Sequence, residues 1–147
     1  MAKKAPKKCV FCEIAEGKAE AYRIYEDDHS LGILDINPFA QGHCLVISKR
    51  HIPWWHDLSE EETRSLFSAA RVIAQKIMKA FHPDFVCMYA RGRRIPHTHI
   101  FLIPTFSGDL LDRFFNALER FQESQEEMAR LKERQSMQQA ADRLKAA

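Results

Sequence analysis

Apolar residues follow two different spacings along this chain. In residues 22–25, 31–36, 43–48, 85–89 and 95–103 they are confined to short runs, which predicts five strands. Polar or breaking residues separate these runs: Glu26-Asp27-Asp28-His29, Asn37-Pro38, Gln41-Gly42, and the basic turn Ala90-Arg91-Gly92-Arg93-Arg94. Between the third and fourth runs the spacing becomes helical. Leu66, Ala69, Ala70, Ile73 and Ile77 fall on one face of a helix running from Ser59 to about Phe81. Ser59 and Glu62 predict a capping box at its start, and His82-Pro83-Asp84 ends it. Residues 9–16 read as a short turn or a first helical turn, closed by Gly17. The class implied is α+β, with an antiparallel sheet and at least one long helix.

Beyond Gly108 there is no further glycine or proline. Leu111, Phe114, Phe115, Leu118 and Phe121 make an apolar stripe, which thins to Met128, Leu131, Met137 and Leu144. One helix is expected over residues 109–129, followed by a projecting helix or a frayed end. The heptad is too poorly filled to favour a coiled coil. The organisation expected is a basic disordered tail (1–8), a domain (9–106) and a C-terminal helical extension (107–147).

The 147 residues suffice for one domain with a core, and 46% hydrophobic with 29% charged residues is ordinary for a globular chain. A net charge of +2 gives no reason to expect nucleic acid or a membrane as partner. Lys3, Lys4, Lys7 and Lys8 read as a solvated end. No run approaches the roughly 20 apolar residues of a membrane span, and no signal-peptide core follows the lysines. A cytoplasmic location is expected. In that compartment Cys9-x-x-Cys12 suits a metal or redox pair better than a disulfide, while Cys44 and Cys87 suit the core.

The candidate chemistry lies in Ile95-Pro96-His97-Thr98-His99-Ile100-Phe101-Leu102-Ile103-Pro104. On a strand, His97, His99 and Phe101 share one face. Two imidazoles so placed can bind a metal, or one can act as a nucleophile that the other supports. They can also simply face water. His29, His56 and His82 fall in turns or at helix ends and read as surface residues.

Three segments, taken in order, give the chain a resemblance to the histidine-triad (HIT) family of nucleotide hydrolases and transferases. They are Cys9-Val10-Phe11-Cys12-Glu13-Ile14; Leu34-Asp35-Ile36-Asn37-Pro38 with Gly42 to His51; and His97 to Pro104. The resemblance covers residues 9–104. It implies a HIT-like five-stranded antiparallel sheet, one long helix packed on it, and a homodimer formed through residues 59–81. It also implies a nucleotidyl-histidine intermediate on His99, which takes the place of the middle histidine of the motif. His43, Arg93 and Arg94 would donate to the phosphate; related proteins often carry Gln and Ser or Thr near the places of the arginines. Asp35 would hold the ribose hydroxyls, and Val10, Phe11, Ile14, Leu34 and Ile36 could line a slot for the base. Phe101 stands where the third histidine belongs and can donate nothing. In the uridylyltransferase branch that place holds glutamine, so a third histidine is not obligatory. By the same resemblance Cys9, Cys12, His51 and His97 would bind a structural zinc. The implied ligand is a purine nucleotide or dinucleoside polyphosphate. The alternatives are a catalytically weak nucleotide-binding module and a partner-binding scaffold.

Overall fold

The computed structural model describes residues 9–124 and 126–147; the basic tail 1–8 lies outside them. The chain divides into two compact units after Ser107. In the first unit the described residues form strands β1 (Arg23–Glu26), β2 (Ser30–Leu34), β3 (Cys44–Ser48), β4 (Phe85–Tyr89) and β5 (His99–Thr105). They make one antiparallel sheet in the order β1-β2-β3-β5-β4. Helix α1 (Val10–Ala15) precedes the sheet, and helix α2 (Glu60–Phe81) connects β3 to β4.

Strand alternation sends side chains to two cores. On one face Cys44, Val46, Ile100 and Leu102 pack against Leu66, Ala69, Ala70, Ile73 and Ile77, the helix stripe expected from the sequence. Each fully buried Leu or Ile of that stripe contributes about 1.5–3 kcal/mol. Gly32 permits the close approach, since a Cβ there would lie 2.3 Å from Cδ1 of Ile73. On the other face Phe11 and Ile14 of α1 cover Leu31, Ile33, Leu45 and Ile47.

Helix α2 starts as its sequence predicts. The Ser59 hydroxyl accepts from the Glu62 amide, and the Glu62 carboxylate accepts from the Ser59 amide. Glu62 also receives Arg50 Nε and a second guanidinium nitrogen at 2.5 and 2.7 Å. This Arg50 pair, helped by Ser59, outweighs burial and holds the Glu62 carboxyl down at about 2, against an ordinary value of 4.5. A carboxyl depressed in the folded state adds stability above pH 4.5 and loses it as the pH falls towards 2. Because Arg50 is more than half exposed, the pair and cap together are worth about 1–2 kcal/mol. Glu62→Gln, which keeps the cap's acceptor and loses only the charge, is therefore expected to lower unfolding free energy by about 1 kcal/mol at pH 7 and by almost nothing at pH 2. Equal loss at both values in urea titrations would show that the charge is irrelevant.

Several strand ends differ from the sequence expectation. β2 stops at Leu34, because Asp35 Oδ1 accepts from the Asn37 amide at 2.7 Å and bends the chain. β1 and β3 each begin one residue later than expected, at Arg23 and Cys44. β5 begins at His99 and runs to Thr105, so His97 precedes the strand, in a tight turn where its amide donates to the Ile95 carbonyl. In the second unit the described helical stretches are α3 (Leu110–Ser124), α4 (Glu126–Lys132) and α5 (Arg134–Ala146). Of the helix expected over 109–129, residues 110–124 and 126–129 are helical, and residue 125 lies outside the described residues. No described helix is long and apolar enough to cross a membrane.

Candidate active site and metal centre

The residues that carry chemistry gather on the sheet face opposite α2. Phe11 connects them. Its ring lies edge-on to His97 at 5.7 Å and to His99 at 5.0 Å between centroids. His99 is buried and donates Nδ1–H to the His97 carbonyl at 2.6 Å. A carbonyl can only accept, so the proton is on Nδ1 and the lone pair is on Nε2.

His43 lies on the same face and is 1% exposed. Its Nδ1 accepts from the Phe39 amide at 3.1 Å, which leaves Nε2 as the N–H. That Nε2 is buried without a hydrogen-bond partner among the described residues. Asp35 Oδ2 lies 3.5 Å away, too far for a well-formed bond. Burial pushes the His43 pKa down against the pull of Asp35, so the ring is neutral near pH 7. A neutral, buried, unpaired N–H is a donor in search of an acceptor.

Phe101 closes the wall. It stacks on Tyr89 at 4.6 Å and meets His99 at 5.1 Å and His43 at 5.7 Å. The sequence predicts Tyr89 as the end of the fourth strand and gives no sign of its place at the site. The β4–β5 register that places it opposite Phe101 appears only when the strands are paired. The other expected site residues are more scattered. Ile14 is buried in the core beside Phe11. Val10 and Ile36 are at the surface, the latter 83% exposed, because the Asp35 turn directs it outwards. Leu34 packs with the α2-side core, as alternation from Ile33 requires. Val10 and Ile36 thus face solvent, while Leu34 contacts the α2-side core. Arg93 and Arg94 lie exposed in the turn before His97.

Cys9, Cys12, His51 and His97 meet at one point, their ligand atoms all within 4.8 Å of one another. The Cys9 Sγ–His97 Nδ1, Cys12 Sγ–His51 Nδ1 and His51 Nδ1–His97 Nδ1 separations are 3.4, 3.3 and 3.3 Å. A tetrahedron with bonds of about 2.3 Å to sulfur and about 2.0 Å to nitrogen separates its corners by roughly 3.3–3.8 Å. The cluster therefore has the dimensions of a closed four-coordinate metal site. His97 is oriented for it: Nε2–H donates to the Ser48 carbonyl at 2.6 Å, so Nδ1 presents its lone pair. Burial lowers the His97 pKa and keeps the ring neutral. Burial and the Cys9 thiol push the Cys12 thiol up to about 11, the direction a bound cation reverses.

Of the remaining cysteines, Cys44 is buried and Cys87 half-buried. His82 caps α2 in the left-handed conformation, and His29 pairs with Glu61 at 3.2 Å.

Comparison with known proteins agrees with this geometry. The HIT domain matches residues 16–108. Adenylylsulfatase HINT3 of Arabidopsis thaliana is 37% identical over 108 residues, 70% of this chain but only 55% of the plant protein. The chain thus spans about half the length of that relative. An uncharacterized HIT-like protein of Mycobacterium tuberculosis is 38% identical over 108 residues, covering 70% of this chain and 75% of its own length. Among solved structures, a Zn-bound histidine triad family protein from Mycobacterium smegmatis superimposes with a TM-score of 0.64 at 37% identity, over 70% of this chain and 78% of that one. A member of the HIT family from Bacillus subtilis gives a TM-score of 0.66 at 27% identity, over 78% and 97%. With the ordered motif, the antiparallel sheet and these matches in agreement, the chain belongs to the histidine-triad family.

Proposed function

We propose that this chain is a nucleotidyl hydrolase or transferase acting at the α-phosphate of a purine nucleotide. The observation that carries this reading is the fixed tautomer of His99, whose Nδ1–H is held by the His97 carbonyl. The Nε2 lone pair forms the N–P bond as the bond from phosphorus to the leaving group breaks, and the leaving group takes the electron pair. Water or a second acceptor then displaces the nucleotide and restores the imidazole. The unpaired Nε2–H of His43 supplies a hydrogen bond to a phosphate oxygen, where charge develops. Asp35, whose Oδ1 accepts from the Asn37 amide, would receive the ribose hydroxyls on Oδ2. Phe11, buried beside His99, would back the slot for the base, and Arg93 and Arg94 would donate to the phosphate.

The test is covalent. After incubation with a dinucleoside polyphosphate and a quench in mild base, intact mass should show one added nucleotide, located on His99 by peptide mapping. Tight nucleotide binding with neither adduct nor turnover would replace this reading with a catalytically silent nucleotide-binding module. Phe101, which has no proton to give, favours that second reading.

Cys9, Cys12, His51 and His97 would hold zinc, which when bound supplies a cross-link between α1 and the start of β5. With four protein ligands no position remains for a catalytic water. We expect about one zinc per chain by mass spectrometry. Chelation, or Cys12→Ser, should raise hydrogen exchange over residues 9–16 while the sheet stays protected. A chain supplied with zinc that retains none would remove the metal from the account.

The exposed residues Phe67, Met78 and Phe81 of α2 and Phe85 and Met88 of β4 support a homodimer formed through this helix and its neighbouring edge strand.

A further inference from the structure

The wall of the site extends one strand beyond Phe101. In the antiparallel β4–β5 pair Tyr89 stands directly opposite Phe101, so both side chains leave the sheet on one face. Phe101 shares that face with His99, two residues back on β5. The ring contacts agree. Tyr89 stacks on Phe101 with centroids 4.6 Å apart and planes 15° apart. Phe101 in turn meets His99 at 5.1 Å and His43 at 5.7 Å. Asp35 continues the row, its Oδ2 lying 3.5 Å from His43 Nε2. Tyr89, Phe101, His43 and Asp35 thus form one continuous wall, with His99 against Phe101.

Phe101 offers this wall neither donor nor acceptor, but Tyr89 carries a hydroxyl. Tyr89 is half-buried. Burial, Cys87 on the same strand and the Asp35 carboxylate push the phenol up, against the pull of Arg91. The hydroxyl therefore keeps its proton through neutral pH and is a donor. Asp35 and Arg91 are both near enough to act on it, as charges do only within about a Debye length.

We propose that Tyr89 is a phosphate-binding residue of this site, whose hydroxyl donates to a non-bridging oxygen of the α-phosphate held at His99. The contact rests on the nucleotide site proposed above and adds a residue to it. A nucleotide with its ribose at Asp35 and its phosphorus at His99 lies along this wall. The phosphate is an anion, and a hydroxyl bonded to an anion makes the stronger, charge-assisted kind of hydrogen bond. Neighbouring strands are about 4.8 Å apart, and a phenol oxygen stands further from its backbone than either imidazole nitrogen. A tyrosine on β4 can therefore reach towards a centre that a histidine on β5 would touch. In this way β4 returns one of the donors that Phe101 removes from β5. The bond goes to an oxygen that stays with phosphorus, so it does not supply the proton that a poor leaving group needs.

Tyr89→Phe removes only the hydroxyl and keeps the stack on Phe101. The probes are AMP and adenosine, titrated by calorimetry. The variant should bind AMP about ten-fold more weakly and adenosine within about two-fold of the parent, with thermal melting unchanged. Turnover should fall about ten-fold or more, by one factor for phosphate and amine leaving groups alike. Unchanged AMP affinity and turnover would make Tyr89 a wall residue only and overturn the proposal. Equal losses with AMP and adenosine would put the hydroxyl on the nucleoside and overturn it as well. A rate loss confined to amine leaving groups would make it the proton donor to the leaving group, not a phosphate ligand. If AMP alone weakens but the parent forms no adduct and turns nothing over, the phosphate contact stands and the reaction at His99 falls. If the parent binds neither probe, the nucleotide site falls and the tyrosine contact with it.

Discussion

Replacing His99 by alanine is expected to lower turnover of a dinucleoside polyphosphate by about 10⁴-fold or more and to remove the nucleotidyl adduct. A covalent nucleophile acts as a unit with its surroundings, so its loss leaves only the contribution of binding and charge stabilisation. His43 and Asp35 would remain to position the nucleotide, so affinity should change far less than rate. The substitution also leaves the His97 carbonyl without its 2.6 Å partner, at a cost of about 1–3 kcal/mol. Thermal melting must accompany the kinetics, because His97 is also a member of the metal cluster. Residual activity within ten-fold of the parent, in a folded variant, would mean that water attacks phosphorus directly. The histidine would then serve only as an acceptor or base for that water.

Phe101→His should act in the opposite direction, and selectively. Its ring centroid lies 5.1 Å from that of His99, within reach of whatever departs from a phosphorus bonded to that residue. An imidazole there restores a proton donor, worth about 10²–10⁴-fold. That gain is expected with an amine leaving group, which cannot depart without a proton. With a phosphate leaving group the gain should be ten-fold or less. The site can accept the change. Phe101 is only half-buried and stacks on Tyr89, a contact an imidazole can keep. Equal gains with both leaving groups would detach position 101 from proton donation. No gain with either would show that the missing ring is not what limits this site.

Much of the domain follows from local pattern. The α2 stripe and its capping box are legible because helical spacing and N-terminal acids report one element by itself. The five strands are legible as runs, but their ends are not. Asp35 ends β2 through a side-chain bond to Asn37, and a tight turn at Ile95 holds His97 outside β5. The metal set was reached by resemblance, since Cys9 and His97 are 88 positions apart and nothing in either segment points to the other.

The sequence by itself determined the antiparallel α+β class, the helix, and the residue types from which a HIT site can be made. Only the tertiary structure decided which of them meet. Alternation on paired strands placed His43, His99 and Phe101 on the face away from α2 and moved Leu34 to the other. Strand register brought Tyr89 onto Phe101. The Ser48 carbonyl, 49 positions away, assigned His97 its proton, while the folded turns brought the nearby His97 carbonyl onto His99 and the Phe39 amide onto His43. The division has a physical basis. Periodicity and caps are local terms, written in neighbouring residues, whereas a coordination sphere, and the His97 tautomer within it, depends on atoms far away in the chain.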